Sequence, residues 1–498
     1  MTIAQTRSGK VEGTENDGVL VFKGIPYAAP PVGSRRWLPP QREEAWEGVR
    51  DATCFSPICA QAASAMQMLF GAGAELNVSE DALCLNVWTP GCDDARRPVM
   101  VWIHGGAFVL GSGDTPWYHG DAFAKQGDVV VVTLNYRLGA FGFLHLADHF
   151  GDAYEGSGNA GILDQVAALE WVRENIAAFG GNPDNVTIFG ESAGGGSVGT
   201  LLGMPAARGL YQKAIPQSGA SSWWATRERA AEIASTLLEG LGVKAGDTDA
   251  LQALTMEQLV TAMAALGVVG NQNGLPFQPV VDGTSLPQPP LQAIEAGNAA
   301  GVHLLAGTNR HEATLFNLML GVATLPDDEI ATRLGPWFDG DAATLVASYR
   351  ARRPDAVGLD LWTDISSDAM FRIPAISLAE TQRAHARVWM YLFTWESPAF
   401  GGALKATHAL EIPFVFDALD APGASVFTGE GTDREPVADA MHRAWIAFAR
   451  TGDPNHSGLP HWPQYEPGRR ATMRFDTTIE VLGDPLGEDR ASWGGYRR

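Results

Sequence analysis

Apolar positions fall into short continuous runs separated by longer stretches with helical periodicity. Residues 19–22, 83–88, 98–103, 129–134 and 186–189 are apolar or β-branched runs. Each predicts a strand packed on both faces. Further strands are predicted near 213–218, 277–282, 302–308, 388–395 and 478–482. Between them, Leu163, Val166, Leu169, Val172 and Ile176 recur at helical spacing, so 161–179 predicts an amphipathic helix. Gly180-Gly181-Asn182-Pro183 ends it. Residues 225–270, 325–385 and 438–450 also read as helical. Strands alternating with helices predict an α/β architecture, a mainly parallel sheet covered on both faces. No internal repeat, low-complexity linker or charge block divides the chain. A single domain over residues 1–498 is expected, with helical insertions at about 225–270 and 325–385.

One irregular stretch, 61–80, carries an apolar patch at Met66, Met68, Leu69 and Phe70. It predicts either a lid over a pocket or a loop packed down on the core.

Hydrophobic residues make up 45% of the chain and charged residues 18%, which excludes a disordered protein. The net charge of -22, from 35 basic and 57 acidic residues, disfavours nucleic acid and anionic membranes as partners. No apolar run reaches 18 residues, so no membrane span is expected. The first ten residues are polar and lack the apolar core of a secretory signal, so a cytoplasmic location is expected. Cys54, Cys59, Cys84 and Cys92 match no metal or redox spacing. Free buried thiols are expected, with no metal site and no cofactor.

The strand at 186–189 runs into Gly190-Glu191-Ser192-Ala193-Gly194, a G-x-S-x-G pattern between strand and helix. Such a turn lifts the Ser192 hydroxyl clear of the backbone and aims a helix N-terminus at the reaction centre. Gly195-Gly196-Ser197-Val198-Gly199 matches the same pattern but lies inside the expected helix, so Ser197 reads as a packing residue. A serine nucleophile needs an imidazole base and a carboxylate behind it, and both should follow Ser192 in this kind of fold. Glu312, beyond the strand at 302–308, and Asp282 both qualify as the acid. His385, His408, His442, His456 and His461 lie downstream. His385 and His442 fall in helical stretches, His456 and His461 in a polar turn. His408 opens a loop entering an apolar segment; position alone does not decide among them. Gly105 and Gly106 follow an apolar strand and could offer N–H groups to an oxyanion, with Ala193 as third donor.

Taken together, the ordered motifs resemble the type B carboxylesterase and cholinesterase family of α/β-hydrolases, most like its bacterial carboxylesterases. They are Phe22-Lys23-Gly24-Ile25-Pro26-Tyr27-Ala28, Glu80-Asp81, Leu85-Asn86-Val87-Trp88 and His104-Gly105-Gly106-Ala107-Phe108. Asn135-Tyr136-Arg137-Leu138-Gly139, Asp164-Gln165, Gly180-Gly181-Asn182-Pro183, the serine turn, Gln217-Ser218-Gly219 and Trp462-Pro463 complete the set. The resemblance implies an α/β-hydrolase fold and a serine carboxylester hydrolase working through an acyl-enzyme. It implies Ser192 as nucleophile, Glu312 as acid, His408 as base, and Gly105, Gly106 and Ala193 as the oxyanion hole. Glu191 and Ser218 match supporting positions. The family pattern has Asp before the acid, Gly after it and Gly after the base; here stand His311, Ala313 and Ala409. The family's early disulfide would join Cys59 to position 82, which is Ala82, so that loop is expected to be unstapled. It also lacks the tryptophan of choline-binding relatives, so a choline ester is not expected. The substrate expected is a small to medium, apolar or aromatic ester, in a monomer or homodimer. Amide, carbamate or lactone hydrolysis would use the same triad. A non-catalytic binding protein on this fold would typically have lost the serine.

Overall fold

The computed structural model describes residues 2–64, 76–266, 275–319, 325–338 and 340–494. Its centre is one large sheet. Twelve of its strands are β1 (Thr2–Gln5), β2 (Lys10–Asn16), β3 (Val19–Pro26), β4 (Cys84–Thr89), β5 (Arg97–Ile103) and β6 (Val130–Leu134), then β7 (Gly181–Glu191), β8 (Lys213–Gln217), β9 (His303–Asn309), β10 (Val388–Phe393), β11 (Ala471–Phe475) and β12 (Glu480–Gly483). They lie in the order β1-β2-β3-β4-β6-β5-β7-β8-β9-β10-β11-β12. From β6 to β11 every pairing is parallel. The other pairings in this order are antiparallel, and a thirteenth strand, Val49–Asp51, pairs with β2 in parallel.

The continuous apolar runs follow from burial on both faces. Within β5, Val99, Val101 and Ile103 enter one core cluster while Met100 and Trp102 enter the other. The first cluster packs under helix α1 (Ala160–Asn175), whose Ile162, Val166, Leu169 and Val172 are buried. Its exposed positions are Glu170, Arg173 and Glu174, one solvent stripe at helical spacing. The helix also brings Asp164 to Arg137, a fully buried pair with contacts of 2.7 and 2.8 Å.

Two expectations change. The run at 277–282 yields only Val280–Val281, paired with Ala225–Thr226 in a separate two-stranded sheet. Pro276 and Pro279 remove ladder donors there, and the Asp282 carboxylate holds a turn through the N–H groups of Thr284 and Leu286. Of the four cysteines only Cys59 is buried; Cys54 is exposed, Cys84 and Cys92 are half-buried, and none is paired. The predicted apolar patch at Met66, Met68, Leu69 and Phe70 lies outside the described residues. Among the described residues no helix is long and apolar enough to cross a membrane.

After β5 the chain turns back to β6, then passes over to β7 on the other side of β5. The order therefore reverses between β5 and β7. The crevice beyond the carboxyl ends of two such strands is where open α/β sheets place their sites.

Candidate active site

Ser192 stands alone between β7 and helix α2 (Ala193–Gly203), with φ 55° and ψ -124°. Such a backbone is strained for a residue with a side chain, and the packing around it holds it there. Gly190 and Gly194 are what allow the turn. A Cβ on Gly190 would come 2.5 Å from the Ile103 carbonyl oxygen, and one on Gly194 would come 2.0 Å from it. The strand before Ser192 and the helix after it are buried, while Ser192 itself is partly open. Its N–H donates to the Gln217 carbonyl at 3.0 Å. Ser197 is fully buried and receives the Gln165 amide at 3.0 Å, as a packing residue would.

The loop after β5 lies against this turn. A Cβ on Gly105 would meet Ser192 Cβ at 3.0 Å. Gly106 has φ 109°, and a Cβ there would collide with the Leu110 carbonyl at 2.1 Å. Neither glycine donates its N–H to another group among the described residues. Ala193 opens α2, so its N–H lacks an intrahelical partner. Tyr136 stacks on His104 at 4.4 Å and its hydroxyl donates to the His104 carbonyl, which fixes the loop. Gln61, at the root of the irregular stretch, bonds Gly111 both ways at 2.8 and 2.9 Å.

Glu312 follows β9 and is fully buried. One carboxylate oxygen accepts the Asn309 N–H at 2.7 Å; the other lies 2.7 Å from His408 Nδ1. The imidazole presents its other nitrogen toward the serine turn. Nε2 lies 3.1 Å from Glu191 Oε1, the residue preceding Ser192, without the alignment of a hydrogen bond. Among the described residues that buried nitrogen has no hydrogen-bond partner. Ser192, Gly105, Glu191, His408 and Glu312 thus form one continuous group. Asp282 and the other histidines stand elsewhere. His442 donates to the Val415 carbonyl against Phe123, His456 to the Ala440 carbonyl and His385 to the Glu295 carbonyl.

A third carboxylate, Glu411, was not found from the sequence. It is fully buried and accepts from Gln217 at 3.1 Å and Asn309 at 2.7 Å. Trp445 closes the network by donating to Gln217 at 2.9 Å. Its one sequence signal is a carboxylate inside an apolar segment, Ala409-Leu410-Glu411-Ile412, which demands buried partners. Burial pushes Glu411 up to about 7, helped by the neighbouring Glu312 charge. Burial also holds Glu191 well above the usual carboxylate range; His408 opposes this, and Glu411 and Glu312 reinforce it. Burial alone would lower His408, but the charges of Glu191, Glu312 and Glu411 outweigh it and raise the imidazole to about 9. Ser218 is buried just behind, with φ 45° and a hydroxyl that makes no hydrogen bond among the described residues.

Ala409 has φ 65°. The family pattern's glycine would adopt that conformation freely, whereas alanine there costs roughly 1–2 kcal/mol. Ala313 is buried and donates its N–H to Ser367 at 3.1 Å, while His311 is partly open, 3.7 Å from Glu396. Among the aromatic rings, Trp223 and Phe316 stand at this group and are partly open. Phe108 is buried nearby, against the same Gly196 that Trp223 covers. Trp117 and Phe277 are core residues, and Phe400 is 65% exposed. Among the described residues no cluster of His, Cys, Asp or Glu could hold a metal ion.

Residues 1–490 match the model of the carboxylesterase family. The chain is 44% identical to a para-nitrobenzyl esterase of Bacillus subtilis over 497 residues, covering 98% of this chain and 97% of that protein. It is 36% identical to a phenmedipham hydrolase of Pseudarthrobacter oxydans over 503 residues, covering 98% of each. The solved carboxylesterase EST55 of Geobacillus stearothermophilus superposes with a TM-score of 0.91 at 45% identity, covering 99% of this chain and 100% of that one.

Proposed function

The chain belongs to the carboxylesterase family, with its α/β-hydrolase fold, and we propose that Ser192, His408 and Glu312 are its serine hydrolase triad. The reaction is hydrolysis of a carboxylic ester. Ser192 Oγ attacks the carbonyl carbon while His408 Nε2 takes its proton. Glu312 holds Nδ1 and stabilises the imidazolium. The carbonyl oxygen becomes an oxyanion, received by the N–H groups of Gly105, Gly106 and Ala193. His408 then protonates the departing alcohol. Water repeats the sequence on the acyl-enzyme and frees the acid. Every step is served by the protein's own groups. Glu191 and Ser218 support the imidazole and the serine turn from behind.

The observation that carries this reading is the 2.7 Å contact between His408 and the buried Glu312, with the other imidazole nitrogen unpartnered beside the serine turn. A buried imidazole bound at one nitrogen and free at the other is arranged to accept a proton. The substrate is a small to medium apolar or aromatic ester, taken up by one chain acting as a single catalytic unit in the cytoplasm. Ser192→Ala tests the reading. Turnover of an aryl ester should fall by several orders of magnitude, and organophosphate labelling should vanish. Near wild-type turnover would reject it.

A further inference from the structure

Helix α3 (Gly358–Ser367) lies against the loop that carries Glu312, and its residues from Leu361 onward are buried all round. At about 100° per residue, Leu361, Trp362 and Ile365 share one side, in a small core with Ile330, Leu345 and Trp493. Thr363, Asp364 and Ser367 share the opposite side. A polar stripe of this kind usually faces solvent. Here its three residues are 8% exposed or less. A buried polar stripe needs partners, and it finds them around Glu312.

The Arg310 guanidinium donates to Asp364 Oδ1 at 2.8 Å. Arg353 takes the other oxygen of that carboxylate at 2.6 Å and reaches on to Asp489 at 3.0 Å, which braces the helix from behind. Asn317, just past the loop, donates to Thr363 Oγ1 at 2.9 Å. Ser367 makes the tie nearest the acid. Its hydroxyl donates to the Thr363 carbonyl at 2.6 Å, so its one proton is spent within the helix. The oxygen is left as an acceptor, and it receives the Ala313 N–H at 3.1 Å. That N–H belongs to the peptide joining Glu312 to Ala313. The oxygen of the same peptide accepts the His408 N–H at 3.3 Å. One rigid plane is therefore held at both ends, by Ser367 at its nitrogen and by the backbone of His408 at its oxygen. The tilt of that plane sets the direction in which the Glu312 side chain leaves the backbone.

We propose that Ser367 is a positioning residue, which aims the Glu312 carboxylate at His408 Nδ1 by holding the peptide between Glu312 and Ala313. This rests on the triad reading of the same site. Without the hydroxyl the buried Ala313 N–H loses its acceptor, the plane turns to find another, and the contact between acid and base is strained.

The test is a double-mutant cycle on the full chain, read as kcat and KM for an aryl ester, with Tm and circular dichroism alongside. A misplacement of about 1 Å costs about a hundredfold in rate, so a shift of a few tenths of an ångström should cost about tenfold. Ser367→Ala should accordingly lower kcat about tenfold and leave KM within about twofold. In a Glu312→Gln background the same substitution should change kcat by less than about twofold, because the charge it aims is gone. A Ser367→Ala protein with lowered Tm and wild-type kcat would overturn the proposal. So would a tenfold loss repeated in full in the Glu312→Gln background, since the effect would then bypass the acid. Should Ser367→Ala not fold, Ser367→Cys, whose sulfur accepts weakly, must show the same coupling. Glu312→Gln alone keeps the two levels apart. Wild-type kcat in that variant sinks the triad reading and this proposal with it; a large fall there, with no coupling to Ser367, sinks only this one.

Discussion

The serine turn depends on one close approach, and Gly194→Ala tests how tightly. The new methyl would start 2.0 Å from the Ile103 carbonyl oxygen and 2.9 Å from the His104 carbonyl oxygen. Real Cβ contacts do not fall below 3.0 Å, so about 1 Å of relief is needed. Ile103 cannot supply it. It is fully buried at the end of β5, facing Gly190 across the ladder. Helix α2 must move instead, and Ser192 goes with it, because the Ser192 carbonyl accepts the Gly196 N–H at 2.8 Å. Overpacking of this kind costs about 1–3 kcal/mol, which a protein of this size survives. A shift of about 1 Å in the proposed nucleophile should cost on the order of a hundredfold in rate. The expected variant is therefore folded, with Tm lowered by a few degrees, and about a hundredfold slower in both kcat and organophosphate labelling. Gly240→Ala is the control. That glycine ends a helix and has nothing within 4 Å of its missing Cβ, so stability should rise by about 0.4–1 kcal/mol with activity unchanged. Wild-type labelling kinetics in Gly194→Ala would refute the reasoning.

Glu191→Gln removes a charge that raises the His408 imidazole, so the acid limb of the kcat/KM profile should move to lower pH. A limb that stays put or moves up would mean Glu191 is uncharged in the working enzyme. Glu312→Gln should keep the fold and lower kcat by about four orders of magnitude, since the imidazole loses its tautomer control; steady-state kinetics alongside circular dichroism decide it. Arg137→Met leaves the Asp164 carboxylate, wholly buried, without its partner. Urea unfolding should show a loss of about 3–5 kcal/mol, and a loss under 1 kcal/mol would contradict the assignment.

The strands that carry the site were legible because each is covered on both faces, which forces a continuous apolar run. The two strands at the amino-terminal edge, β1 and β2, were not, although the one at the other edge was predicted at 478–482. Lys10, Glu12 and Thr14 in β2 alternate with smaller or apolar residues, as a half-covered antiparallel strand does, and resemble a polar loop when read alone. The serine turn was visible because strand, glycine and serine types must coincide there. Spacing could not separate Glu312 from Asp282, since both follow predicted strands; only the fold shows Asp282 spent on its own turn. Glu411 was missed because its place in the network comes from what the fold sets beside it, Gln217 and Asn309 from distant strands.

The groups gathered at the crevice arrive from widely separated parts of the chain: Gly105 after β5, Ser192 after β7, Glu312 after β9 and His408 beyond β10. During synthesis the proposed nucleophile emerges long before the proposed base, which follows the strand paired with β9. If His408 is the base, chains lacking the last quarter should be inert toward esters. Activity in a cell extract counts only molecules whose translation has reached the far side of the sheet.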